Sequence, residues 1–134
     1  MALPIYHPLP EAVVSCNAAN LTAASAVLRA PFKGRITEVG SMLGSVLSTA
    51  DATITTSIAG TAITGAPYVI TASGSAIGDL DAASVSGTVA NGVAANSTIT
   101  GANTCLEGDV VKFAITGGNA SGGPVHFYAV FTRT

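Results

Sequence analysis

A strict alternation of apolar and polar residues runs through two segments near the end of the chain, 110–116 and 125–132. In each segment every second residue is apolar, so the apolar residues lie on one face of the segment. They are Val111, Phe113 and Ile115 in the first segment and Val125, Phe127, Ala129 and Phe131 in the second. A period of two is that of a half-buried β-strand. The segments therefore predict two core strands, joined by the flexible sequence GGNASGG.

Shorter β-favouring runs, separated by Gly, Asn, Asp or Pro, fill the chain before these two strands. The runs 26–29 and 35–43 flank Pro31-Phe32-Lys33-Gly34, which predicts a type II turn that closes a hairpin. Residues 53–58 followed by Ala59-Gly60 predict a second hairpin. Asp79 to Asn91 shows no clear period, and we expect it to be mostly loop. About seven or eight strands result, typical of an all-β, antiparallel β-sandwich of jelly-roll type.

Residues 1–20 predict an extended, Pro-rich N-terminal arm in front of a single sandwich domain at residues 21–134. Pro4, Pro8 and Pro10 remove backbone donors and hold the preceding residues in extended geometry. The arm is too apolar for a purely solvated tail, so we expect it to dock on a partner. Its candidate binding residues are Leu3, Ile5, Tyr6 and Leu9.

Charge is scarce, at 9% of residues against roughly 25% in an average soluble domain. The net charge of -2 provides no broad basic face for nucleic acid or for an anionic membrane, so neither is expected as a partner. The uncharged stretches 52–78 and 82–106 have the length of membrane spans, but their Gly, Pro and alternating Ile and Thr predict strands and turns. The N-terminus has no basic region before an apolar core, so we expect synthesis in the cytoplasm without a signal peptide.

Catalytic chemistry needs a nucleophile, a base and an orienting group, or a metal cluster. The two histidines, His7 and His126, are too few for a metal site of the cupin kind. Cys16 and Cys105 lack ligand spacing and are expected to be reduced apolar residues. We therefore expect no enzyme activity and no cofactor.

Two carboxylate pairs, Asp79 with Asp81 and Glu107 with Asp109, are spaced two residues apart. Neither pair has the ligand count of a calcium loop. We expect them to cap turns by accepting hydrogen bonds from backbone N–H groups.

Arg29, Lys33 and Arg35 place three of the five basic residues within seven positions. One interpretation is a solvated turn in which Glu38 pairs weakly with one cation. The other is a docking site for an acidic protein surface, because three cations dominate the electrostatics of so uncharged a chain. The residues alone leave both interpretations open.

From about Val27 to Thr134 the chain resembles small proteins of tailed-bacteriophage structural modules, of the head decoration or capsid cement kind. The resemblance lies in a series of sequence motifs that follow one another in the same order along the chain: APFKGRITEVGSML, ADATITTSIAGTAITG, LEGDVVKFAITGG and the terminal FTRT. It implies a jelly-roll sandwich that forms a homotrimer on the outer capsid surface of the virion and clamps adjacent major capsid protein subunits. The Pro-rich arm and residues 79–91 depart from the family pattern.

Two other classes remain open on the sequence alone. A carbohydrate-binding or adhesin-like module would suit a β-sandwich rich in Thr, Ser and Asn, although such modules usually present Trp platforms and this chain has no Trp. A phage tail or spike component could use the same sandwich.

Overall fold

The computed structural model describes residues 10–22, 25–89, 92–118 and 120–134. Eleven β-strands and no helix form in these ranges, which confirms the predicted all-β sandwich. No helix in the described ranges has the length and apolar character needed to cross a membrane. In chain order the strands are β1 (Glu11–Ala18), β2 (Ser25–Arg29), β3 (Gly34–Leu43), β4 (Ala52–Ile58), β5 (Thr61–Ala62), β6 (Tyr68–Ile70), β7 (Leu80–Ser84), β8 (Ser97–Thr98), β9 (Thr104–Cys105), β10 (Val110–Thr116) and β11 (Val125–Arg133).

The strands divide into a six-stranded and a five-stranded sheet. The six-stranded sheet has the order β1-β11-β3-β7-β8, with β9 also pairing with β3. The five-stranded sheet has the order β2-β10-β4-β5, with β6 also pairing with β4. All strand pairs are antiparallel except β7 with β8. The free edge strands β1 and β2 contact each other across the sandwich.

The core lies between the inner faces of the two sheets. The predicted alternation in β10 and β11 is confirmed, because all seven apolar residues of those faces are buried. The rings of Phe113 and Phe127 stack at 5.1 Å between the two sheets. Such a pair contributes about 0.5–1.5 kcal/mol beyond the area it buries.

Part of the predicted arm belongs to the sandwich. Residues 11–18 form β1, which pairs with β11 from Glu11 opposite Thr132 to Ala18 opposite Val125. The inward residues of β1 are small, so its alternation has little hydropathy contrast in the sequence. The domain therefore begins about ten residues earlier than predicted, and residues 1–9 lie outside the described ranges.

The expectation that residues 79–91 are mostly loop is wrong for their first half. Leu80–Ser84 forms β7, which pairs with β3. Ala82, Ala83 and Ser84 are all buried, so this strand has no polar face that would produce an alternating pattern. Small residues on both faces allow the strand to be covered on both sides.

The predicted hairpin at residues 31–34 is also wrong, because β2 and β3 belong to different sheets. The segment is a crossover between the sheets, and Phe32 is buried in it with its ring edge-on to Phe131 at 6.5 Å. Gly34 does not have the positive φ of a type II turn. Glycine is needed there because an added Cβ would lie 2.2 Å from the carbonyl oxygen of Thr132.

The second predicted hairpin is confirmed, since β4 and β5 are joined by Ala59 and Gly60. Their φ angles of 49° and 87° are both positive, as in a type I′ turn. The structure has more strands than the predicted seven or eight, because it includes three short strands of only two residues each. These are β5, β8 and β9.

Gly34→Ala tests the close approach of β3 to β11. We expect the free energy of unfolding to fall by about 1–3 kcal/mol, because the methyl group meets backbone that cannot move independently. Chemical denaturation measures the change. Gly101→Ala is the matched control, since an added Cβ there meets no atom within 4 Å; its effect should stay within about 0.5 kcal/mol. Equal effects of the two substitutions would contradict the packing described for Gly34.

Candidate interaction surface

The three predicted cations lie at one end of the sandwich but on different surfaces. Arg29 is the last residue of β2 and points outward from the five-stranded sheet, and its Nε donates a hydrogen bond to the Gly108 carbonyl at 3.3 Å. Arg35 points outward from the six-stranded sheet, where it pairs with Thr132. Lys33 is exposed in the crossover between them. The crossover thus spreads the cations around the rim of the sandwich.

A fourth cation, Arg133, lies at the same end of the sandwich, because β11 pairs with β3. Arg133 stands opposite Gly34, and its guanidinium lies 4.2 Å from the centroid of the Phe32 ring. This is a cation–π contact in which a buried ring holds the guanidinium at the surface. Sequence reasoning missed Arg133 because it lies about a hundred positions from the cluster; strand pairing is the signal that links them. We call Arg29, Lys33, Arg35 and Arg133 the cationic end.

Exposed apolar side chains lie beside these cations. Leu106 is 60% exposed in the turn before β10, and Val110, opposite Arg29 in the register, is 47% exposed. A depression of about 240 Å³ is lined by Lys33, Leu106 and Asp109 together with Thr134 and residues of β3 and β9. Glu107 is exposed in the same turn, so carboxylates are interspersed with the cations. Apolar contacts surrounded by charged groups are typical of protein–protein interfaces.

The opposite end of the sandwich carries Asp51, Asp79 and Asp81, which we call the aspartate end. Asp51 accepts a hydrogen bond from the Ala72 N–H at 2.8 Å, and Asp79 accepts one from the Ala76 N–H at 2.8 Å. Burial raises the pKa of Asp81; a hydrogen bond from Asn96 opposes this, and the Asp79 charge adds to it.

The predicted capping role is confirmed for Asp79 and for Asp109, whose carboxylate accepts a hydrogen bond from the Leu106 N–H. The fifth basic residue, Lys112, is exposed in the middle of β10. No Lys or Arg therefore lies at the aspartate end, whereas the cationic end carries Glu107 and Asp109 as well as four basic residues.

The solvated-turn interpretation expected Glu38 to pair with one of the three cations, but its partner in the structure is Tyr128. The Glu38 carboxylate accepts a hydrogen bond from the Tyr128 hydroxyl at 2.5 Å. The Tyr128 ring lies over Gly40, where an added Cβ would be 2.6 Å from the hydroxyl oxygen. Burial, followed by the hydrogen bond to Glu38 and its negative charge, raises the pKa of Tyr128 well above the usual value.

An apolar groove of about 410 Å³ crosses the outer face of the six-stranded sheet next to Glu38. Four valines form its apolar walls, and we call it the valine groove: Val13, Val85, Val89 and Val130. Val13, on the edge strand β1, is 64% exposed. The groove therefore presents apolar surface at the free edge of the sheet.

The remaining candidates are the residues of the predicted arm, the two histidines and the two cysteines. Leu3, Ile5, Tyr6, Leu9 and His7 lie outside the described residues. His126 is exposed on β11, where its Nδ1 lies 2.7 Å from the Asn17 side-chain oxygen. Cys16 and Cys105 are free thiols, as expected. Among the described residues, no group of three His, Cys, Asp or Glu side chains is arranged to hold a metal ion.

Tyr128→Phe tests the bond to Glu38. At pH 8 we expect the free energy of unfolding to fall by about 1 kcal/mol, because the hydroxyl donor is lost. Tyrosine ionises near pH 10 in the unfolded chain but at higher pH in this fold. The unfolded state therefore loses the proton first, and the contribution of Tyr128 declines as pH rises above about 10.

The measurement is urea unfolding of both proteins from pH 8 to 11. The wild type should lose stability more steeply than Tyr128→Phe above pH 10, so that their difference narrows. Parallel curves would contradict the role assigned to the hydroxyl.

The chain was compared with protein-family models, with curated proteins and with solved structures. No family model, no curated protein and no solved structure matches the chain.

Proposed function

We propose that the protein is a structural component of a tailed-phage virion that decorates and stabilises the capsid. It binds the outer capsid surface as a homotrimer and clamps adjacent major capsid protein subunits, without enzymatic activity. The observation that carries the proposal is the cationic end, where four of the five basic residues surround exposed Leu106 and Val110.

The strand order supports a jelly roll as the finer description of the sandwich. Eight strands have three residues or more, and they pair in a nested way: first with last (β1–β11), second with seventh (β2–β10), third with sixth (β3–β7) and fourth with fifth (β4–β6). This is the pairing of a long antiparallel ribbon rolled into two sheets. The jelly roll occurs in viral capsid and lectin domains, among others, so the topology agrees with the resemblance without deciding the function.

The distribution of the basic residues supports an oriented attachment. Four of the five lie at the cationic end and none at the aspartate end, so an acidic partner surface attracts the cationic end and repels the aspartate end. Near that surface the cationic end turns toward the partner, and Leu106 and Val110 then supply apolar contact. In this arrangement the aspartate end points away from the capsid.

The outer faces of the sheets support assembly from several copies. The five-stranded sheet presents mainly Thr, Ser and Ala outward, with exposed Val27, Val69 and Val110 and only two charged residues, Arg29 at its end and Lys112 in its middle. Faces with so little charge lose little hydration when they are covered. A trimer that contacts several capsid subunits gains affinity from multivalency, and binding only to the assembled lattice stabilises that lattice.

The oligomeric state of the isolated protein is the first test. Size exclusion with light scattering should give the mass of a trimer throughout the micromolar range. A stable monomer across that range would contradict the trimeric form of the proposal.

Capsid attachment is the second test, measured with empty capsids of the phage whose genome encodes the chain. The triple variant Arg29→Gln, Lys33→Gln, Arg35→Gln should associate about tenfold more slowly at low salt and with a weaker salt dependence, because the steering charges are lost. Lys112→Gln is the matched control; it removes an exposed cation from the middle of a sheet and should change the rate by less than about twofold.

Two outcomes would overturn this account. If the triple variant binds capsids at the wild-type rate at every salt concentration, the cationic end is a solvated rim. If the wild type binds free capsid protein as tightly as it binds the assembled lattice, it does not clamp neighbouring subunits.

A further inference from the structure

The valine groove runs across the strands of the six-stranded sheet. Its walls come from β1, β11, β3 and β7, and from the loop that follows β7. Four strands at about 4.8 Å spacing give it a length of about 14 Å. Six of the ten lining residues are polar: Glu11, Thr37, Glu38, Ser84, Ser86 and Thr88. A groove of this length, with four valines among its lining residues, suits a short extended peptide with apolar side chains.

The N-terminal residues have the composition of such a peptide. Leu3, Ile5, Tyr6 and Leu9 are apolar, and no residue from 1 to 9 is an Asp, Glu, Lys or Arg. Pro4 and Pro8 favour polyproline II geometry, which rises about 3.1 Å per residue. About five residues would then fill the groove, and nine residues reach about 28 Å from Pro10.

The direction in which the arm leaves the domain decides which groove it can enter. The Pro10 carbonyl accepts a hydrogen bond from the Arg133 N–H at 2.8 Å, so the β1–β11 ladder continues beyond Glu11. At Pro10 the backbone therefore still follows the direction of β1, toward the end of the sheet. The chain's own valine groove lies behind this point, at Val13 and Val130, and Pro8 and Pro10 oppose the reversal needed to reach it.

We propose that residues 1–9 of one copy dock in the valine groove of a neighbouring copy of this chain. The apolar side chains of the arm cover the four valines, and the polar lining binds arm backbone groups. Each copy provides one arm and one groove, so the contact is heterologous and closes into a ring when the rotation permits. The inference deepens the self-association part of the proposed function, on which it rests, and does not require a capsid.

The test uses two full-length variants. The arm variant carries Leu3→Ser, Ile5→Ser, Tyr6→Ser and Leu9→Ser, which keep the prolines and the chain length. The groove variant is Val13→Asp, at a position of β1 that is 64% exposed. Val46→Asp is the matched control, since Val46 is a 56% exposed valine in the loop after β3, outside the valine groove and outside the outer faces of both sheets.

Analytical ultracentrifugation with a fluorescent label on one species measures association. We expect the arm and groove variants each to need at least roughly tenfold higher concentration to associate, because apolar contact is lost or a carboxylate must be buried. The control should assemble like the wild type. An equimolar mixture of the two variants should form heterodimers, because an intact arm then meets an intact groove.

The other outcomes overturn the inference in distinguishable ways. Wild-type assembly by both variants shows that the arm and groove do not hold copies together, while a trimer held by other surfaces leaves the proposed function intact. Variants that fail to associate even when mixed show that the arm does not enter the groove of another copy. A monomeric wild type contradicts both the arm exchange and the proposed trimer. Normal arm exchange without capsid binding contradicts the proposed function alone.

Discussion

The packing of two apolar sheet faces against each other is the constraint on which the rest of this structure depends. The stacked rings of Phe113 and Phe127 lie at its centre, and β10 and β11, which carry them, are interior strands of their sheets. Once these inner faces are buried, the period of two directs the remaining side chains of both strands outward. The outer faces, the edges and the two ends are then the surfaces left for contact with other molecules.

The crossover at residues 31–34 connects this core to the surface that we assign to partner binding. Phe32 closes one end of the core against Phe131 and presents its ring to the guanidinium of Arg133. Burying one aromatic side chain therefore both seals the sandwich and positions a cation at its rim. The two arginines Arg29 and Arg35 emerge on opposite outer faces because the strands that carry them belong to different sheets.

Sequence reasoning succeeded where adjacent residues differ strongly in hydropathy. The strands β10 and β11 and the Ala59-Gly60 turn were predicted because large apolar residues alternate with polar ones, and because few residues suit positive φ. It failed for β1 and β7, where small residues such as Ala82 and Ala83 occupy positions covered by other parts of the chain. It also failed at Gly34, where glycine is needed because a backbone oxygen almost a hundred residues away in sequence leaves no room for a Cβ atom.

The sequence by itself determined the all-β class, the main core strands, the scarcity of charge and the clustering of Arg29, Lys33 and Arg35. These properties depend on composition and on neighbours within a few positions. Only the tertiary structure decided that the cluster spans two sheets, that Arg133 belongs with it, that Glu38 bonds Tyr128 and that four valines from separate segments form a groove. Those arrangements arise from pairing between distant strands, and pairing partners are selected by the burial of whole faces.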